Sequence, residues 1–132
     1  MTTTHEITVE VAPEDIDELG HVNNIVYLRW IQDVATAHWR AAAPADAVDA
    51  IAWVVRRHEV DYRHPALPDD RIAVRTWIGA AEGLTFERLT EILRADDRRV
   101  LAEARTLWIP IDARSGRPTR VSEEVRRRFS TS

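Results

Sequence analysis

Between residues 6 and 11 apolar and polar positions alternate, with Ile7, Val9 and Val11 set against Thr8 and Glu10. That two-residue period predicts a strand with one buried face, followed by a loop opening at Pro13. From Asn24 the period lengthens. Arg29, Gln32, Asp33, Thr36 and Arg40 fall at i, i+3, i+4, i+7 and i+11, while Ile25, Val26, Leu28, Trp30, Ile31, Val34, Ala35, Ala37 and Trp39 occupy the other positions as far as about Ala42. This is a long helix with one narrow polar stripe, and such a helix requires cover on most of its sides. In a small strand-rich chain, a sheet that curls around the helix supplies that cover.

Beyond Pro44 the pattern reads mostly as strands. Trp53 to Tyr62, Arg71 to Ile78, Thr85 to Leu93 and Val100 to Ile111 are rich in β-branched and aromatic residues, and turn-forming residues at 65–70, 80–83 and 96–99 separate them. Short links join antiparallel neighbours, and the order strand, long helix, four strands has no βα repeat. An α+β fold with an antiparallel sheet is therefore expected. Ser115-Gly116 with Pro118 marks a turn. Ser122, the acids Glu123 and Glu124 and the bases Arg126, Arg127 and Arg128 then read as a short C-terminal helix with a serine N-cap and charges matched to its dipole. No internal repeat, low-complexity segment or linker interrupts residues 1–132, so one domain is expected.

Composition narrows the classes of function. With 132 residues and 45% hydrophobic content, the chain has the size of one domain with a core. No stretch approaches the roughly 20 apolar residues of a membrane span. The N-terminal Met-Thr-Thr-Thr-His-Glu lacks the basic start and apolar run of a secretion signal, so the expectation is a cytoplasmic protein without a membrane partner. The net charge of -4 argues against a nucleic-acid partner. There is no cysteine, which removes disulfides, thiolate nucleophiles and thiolate metal sites. All 18 basic residues are arginine, which removes a Schiff-base lysine and provides forked donors suited to phosphate.

The densest chemistry lies at residues 15–27, where acids, a glycine, a histidine and two asparagines come immediately before the long helix. A carboxylate beside the open N–H groups of a helix N-terminus has the parts needed to attack a carbonyl and hold the negative charge that develops on it. The run Asp17-Glu18-Leu19-Gly20-His21-Val22-Asn23-Asn24-Ile25-Val26-Tyr27 resembles the signature of the hotdog-fold thioesterases of the 4-hydroxybenzoyl-CoA thioesterase type, and it is also similar to the motif of plant acyl-ACP thioesterases. The segment Tyr62-Arg63-His64-Pro65-Ala66-Leu67-Pro68-Asp69-Asp70-Arg71-Ile72-Ala73-Val74 resembles the second strand, proline turn and third strand of that family. One departure from the plant motif is Leu19, which stands where those enzymes carry an asparagine and so favours the acyl-CoA type.

This resemblance implies a hotdog fold, in which a curved antiparallel sheet wraps one central helix. It implies a homodimer, or a tetramer of such dimers, with acyl-CoA bound between subunits. Asp17 is then the catalytic carboxylate, acting as nucleophile or as general base on water, and backbone N–H near Asn24 polarises the thioester carbonyl. Neither a metal nor a cofactor beyond the CoA substrate is implied. His21 is a candidate for orienting substrate or water, with a backbone-bonded loop histidine as the alternative. Asn23 and Asn24 are candidates through amide or main-chain N–H, or else serve as N-cap and turn residues. Gly20 is expected to permit a positive φ or a close backbone approach, and Tyr27 to form core or pocket wall beside the substrate, as Trp30 would.

Further along the chain, Glu59 is a candidate second carboxylate or substrate contact, and it shares a strand face with Asp61 that is otherwise read as solvated. Thr85 is a candidate contact for the pantetheine arm. Arg56, Arg57, Arg63 and Arg88 are candidates for the CoA phosphates. Asp33, the one acid on the long helix, ranks below Asp17. The histidines, including His58 and His64, show no metal-ligand spacing. The remaining readings are an acyl-ACP thioesterase, a hotdog protein that binds acyl-CoA without hydrolysing it and, ranked third because it wants a paired acid across the interface, a hotdog hydratase or dehydratase using His21.

Overall fold

A computed structural model describes residues 3–129 of the chain. The elements run β1 (Thr4–Glu10), a 3-10 turn at Pro13–Asp15, α1 (Asn24–Ala42), α2 (Ala45–Ala50), β2 (Ile51–Tyr62), β3 (Arg71–Glu82), β4 (Thr85–Arg94), β5 (Val100–Asp112) and α3 (Glu123–Arg128). The five strands form one sheet in the order β1-β3-β4-β5-β2, with every pair antiparallel. The sheet is curved and α1 packs across it, so the α+β expectation holds. The long helix occupies the span its period predicted, and Asn23 caps it by accepting from the Ile25 amide at 3.0 Å. Ser122 caps α3 in the same way, accepting from the Val125 amide.

Two details differ from the sequence reading. The helix α2 lies between Pro44 and the strand expected from Trp53, in a stretch to which no element was assigned. Its six residues Ala-Asp-Ala-Val-Asp-Ala are too few to show a period, and they form a helix behind Pro44 with Ala47 and Val48 packed on neighbouring apolar residues. Strand β3 continues past Ile78 to Glu82, because a register shift between Ile78 and Ala81 lets the pairing with β4 resume up to the turn at Gly83. Helix α1 is covered along its apolar sides as expected, except at its ends. Ile25, at its first turn, is 72% exposed.

The face of the sheet that meets α1 carries two apolar clusters. One gathers Tyr27, Trp30, Ile31 and Val34 from α1 with Ile72, Val74, Ile92, Leu101 and Ala102 from the strands. The other gathers Trp39, Phe86, Val121, Val125 and Phe129. Between them runs a band of buried polar groups. His5, Thr76, Thr90 and Ala104 are successive partners across β1, β3, β4 and β5, and Arg88, Thr106 and His58 succeed one another one step along β4, β5 and β2. Thr76, Thr90, Thr106, Arg88 and His38 are all buried. Each threonine suits a strand and satisfies its hydroxyl locally, Thr76 donating to the Leu89 carbonyl at 2.8 Å.

Candidate active site

The loop before α1 is built around two aspartates. Asp15 is only 2% exposed. Its carboxylate accepts from the Ala12 amide at 3.0 Å and from Arg29 Nη2 at 3.2 Å on each oxygen, and its carbonyl accepts from the Asn23 amide at 2.8 Å. Arg29 lies on the polar stripe of α1, so this contact ties the loop to the helix it precedes. The Asp15–Arg29 pair escaped the sequence reading because each residue taken alone looks like ordinary solvated charge.

Asp17 organises the turn that follows. Its Oδ1 accepts from the Leu19 amide at 2.9 Å and from the His21 amide at 3.2 Å, while its own amide donates to the His21 carbonyl at 2.8 Å. Gly20 closes the turn with φ +79, a left-handed conformation in which glycine carries no Cβ penalty. The expectation for Gly20 is met by that torsion. Among the described residues, no hydrogen bond engages Oδ2 of Asp17, so one carboxylate oxygen sets the loop and the other stands open.

At the start of α1 the orphan amides are partly spoken for. Asn23 uses its side chain on the Ile25 amide and its carbonyl on the Val26 amide, the latter at 2.9 Å. Among the described residues, the amide of Asn24 has no acceptor. Tyr27 fixes the next segment, its Oη accepting from the Ala66 amide at 2.9 Å, and burial raises its phenol above the ordinary range. Tyr62 packs edge-on against Tyr27 with centroids 5.2 Å apart and donates to the Asn24 carbonyl at 3.2 Å.

These groups surround a cleft of about 390 Å³ lined by Asp17, His21, Asn23, Asn24, Tyr27 and Tyr62, with Arg63, His64 and Leu19 at its margins. Of the residues singled out from sequence, Asp17, His21, Asn23, Asn24, Tyr27 and Arg63 therefore share one cleft, and Gly20 shapes its rim. Arg63 is half tied down by Glu103 at 3.0 Å. The others lie elsewhere. Glu59 is on the solvated face of β2, held by Arg57 at 3.0 Å and Arg105 at 3.3 Å. Asp61 shares that face, as the alternation predicted. Arg56 is exposed at the irregularity between Val55 and Arg57.

Thr85 opens β4 at the end of the sheet where Phe86 joins the second apolar cluster, away from this cleft. Arg88 is no surface phosphate ligand. It is 5% exposed and points into the other side of the core, because the β4 alternation that turns Glu87 and Leu89 outward turns Arg88 in. Asp33 is exposed on α1 and lines neither cavity. His58 faces inward with Nδ1 3.0 Å from Thr106 Oγ1, and burial holds its pKa below the usual imidazole value. No three His, Asp or Glu side chains among the described residues come together as a metal site would require.

A curved antiparallel sheet packed on one long helix, with an acid-glycine-amide loop at the helix start, defines the hotdog class of fold. Residues 11–129 match the family model of the thioesterase-like superfamily. The chain belongs to that superfamily and is by class a thioester hydrolase. It is 27% identical over 127 residues to the acyl-CoA thioester hydrolase YbgC of Escherichia coli, covering 94% of each chain. The fold superposes with a TM-score of 0.82 on a thioesterase from Thermus thermophilus solved with coenzyme A and Zn, at 25% identity and covering 94% of this chain and 95% of that one. It also matches the fold of Slr0204, a 1,4-dihydroxy-2-naphthoyl-CoA thioesterase from Synechocystis, with a TM-score of 0.81 at 20% identity over 96% of this chain and 95% of that one.

Proposed function

We propose that the protein hydrolyses an acyl-CoA thioester to a free carboxylic acid and CoA in the Asp17 cleft. The observation that carries this reading is that two residues lining one cleft each bring a group with no hydrogen-bond partner among the described residues, Oδ2 of Asp17 and the N–H of Asn24. The carboxylate is a base for an attacking water, or a nucleophile in its own right. The amide at the positive end of α1 is a donor for the oxyanion that forms as the carbonyl carbon becomes tetrahedral. Collapse then breaks the C–S bond. A thiol with a pKa of about 8.5 leaves as thiolate without a strong acid, which fits a site with one carboxylate and no partner acid. The names of the similar enzymes, an acyl-CoA thioester hydrolase and a thioesterase solved with coenzyme A, support CoA as the carrier.

His21 lines the cleft as a candidate to orient substrate or water, and Arg63 as a candidate for a CoA phosphate. The cleft also argues for a homodimer. Among the described residues, strand β2 is an edge of the sheet and pairs only with β5, leaving a twelve-residue edge open. Long open edges are usually covered. Tyr62 at the end of β2 lines the cleft, so a second copy on that edge would close the site.

Replacing Asp17 by Asn tests the mechanism. The asparagine keeps an Oδ1 acceptor for the Leu19 and His21 amides, so the turn and the fold persist while the basic oxygen is lost. Thiol release from purified protein should fall by two or more orders of magnitude on acyl-CoA, with melting temperature nearly unchanged. Equal rates in the variant would remove Asp17 from the chemistry. Faster turnover of acyl carried on acyl carrier protein would move the substrate assignment, and saturable acyl-CoA binding without thiol release would make the protein a binder.

A further inference from the structure

A second cavity, of about 490 Å³, opens on the other half of α1 and shares no lining residue with the Asp17 cleft. Its walls are mostly apolar and aromatic, including Trp39, Trp53, Phe86, Trp108 and Phe129. Ala35, the first α1 residue on its wall, lies eleven positions beyond Asn24, about 16 Å along the helix axis. One charged side chain is buried against it. Arg88 donates through Nη1 to His38 Nδ1 at 2.9 Å and to Thr76 Oγ1 at 3.2 Å. Both partners are neutral. His38 accepts on Nδ1, and burial together with the nearby Arg88 and His5 holds its pKa down to about 3.

Among the described residues, no carboxylate pairs with Arg88, and its Nε and Nη2 have no acceptor. Burial lowers its pKa only to about 10, so it remains a cation at neutral pH. A buried guanidinium without a counter-charge is costly and is ordinarily paired. Two further donors on the same walls, the indole N–H groups of Trp53 and Trp108, are buried without an acceptor. An open guanidinium edge, two buried indole donors and no acid among the lining residues of an apolar chamber call for a ligand with an apolar body and an anionic acceptor end. A guanidinium fork fits a carboxylate bidentately.

We propose that this cavity is a second binding site, taking an organic carboxylate with an apolar body whose anionic end pairs with Arg88. The site is separate from the Asp17 cleft and does not rest on the thioesterase reading. Titration calorimetry on the full chain tests it with octanoate against octan-1-ol, two probes that share a body and differ in the charged end. Octanoate should bind saturably, and octan-1-ol at least tenfold more weakly. Arg88→Gln should weaken octanoate at least tenfold. Val48→Trp, which fills the cavity from α2 and leaves the Arg88 side chain in place, should abolish octanoate binding, and Asp17→Asn should leave it unchanged. Equal affinity for the two probes, no binding of octanoate by the wild type, undiminished binding by folded Arg88→Gln or by Val48→Trp, or loss of binding in Asp17→Asn would each overturn the proposal. Should Arg88→Gln fail to fold, the contrast between the two probes and the Val48→Trp protein still decides. Loss of hydrolysis in Asp17→Asn with octanoate binding intact distinguishes the two sites.

Discussion

At the scale of single residues, the same side chains that shape the cleft also hold its walls. Tyr27 was expected as core or pocket wall, and it is both, since its ring packs beside Trp30 and Tyr62 while its oxygen receives the buried Ala66 amide. Tyr27→Phe keeps the ring and strands that amide, so stability should fall by about 1–3 kcal/mol. Thermal melting checks this. Because burial raises the Tyr27 phenol further above neutral pH, the residue is protonated during turnover and the variant should not change the shape of a pH–rate profile below pH 9. Asp15 shows the opposite relation of sequence to structure. From sequence it was only one of the acids ahead of the helix, yet it is the buried anchor of the loop, with Arg29 and the Ala12 amide as its partners.

At the scale of elements, the start of α1 does two things at once. Asn23 ends the loop and caps the helix, and by engaging the Ile25 and Val26 amides it leaves the Asn24 amide as the open donor. Asn23→Ala removes the side-chain acceptor and should cost about 1 kcal/mol, read as a drop of a few degrees in Tm. Asn23→Ser restores an acceptor and should recover most of that loss. If the helix start also orients the carbonyl, kcat should fall in the alanine variant by more than the stability change explains and return in the serine variant. The boundaries of α1 were legible because nineteen residues carry several turns of the 3.6-residue period. Those of α2 were not, since six residues complete less than two turns.

At the scale of the whole molecule, charge and assembly set conditions that no single element does. His38 is buried between α1 and the sheet, stacked on His5 with centroids 5.4 Å apart and facing Arg88. Unfolded, it takes a proton near pH 6.5; folded, it stays neutral down to about 3. The unfolded state therefore binds a proton that the native state refuses, and stability should fall as pH drops from 6.5 towards 3. Carboxylates held below their ordinary range, Glu87 by the Ala80 amide and Arg105 and Glu6 by Arg98, add to this loss at the acid end of that window. Melting curves at successive pH values should show the slope beginning near 6.5, and His38→Gln should flatten its upper part. Assembly is checked by sedimentation: the wild type should run as a dimer or a multiple of it at micromolar concentration, and Val54→Arg, on the open edge strand, should shift it towards monomer. A wild type that sediments as monomer would sink the dimeric site.

The sequence by itself determined the class of fold and drew together most residues of the proposed site, because both are written in local terms. Alternation and helical period are properties of neighbouring residues, and the acid, glycine and amides of the cleft lie within eight positions of one another. Only the tertiary structure decided the facing of isolated charges. Whether Arg88 meets water or the core depends on the strand's side, on the curvature that brings His38 over it and on the distance of every acid, none of which a linear pattern encodes. The polar band across the sheet, the buried Asp15–Arg29 tie and the second cavity exist because residues 12 to 50 positions apart are brought within 3.2 Å. Such contacts arise from packing, which is a property of the folded whole.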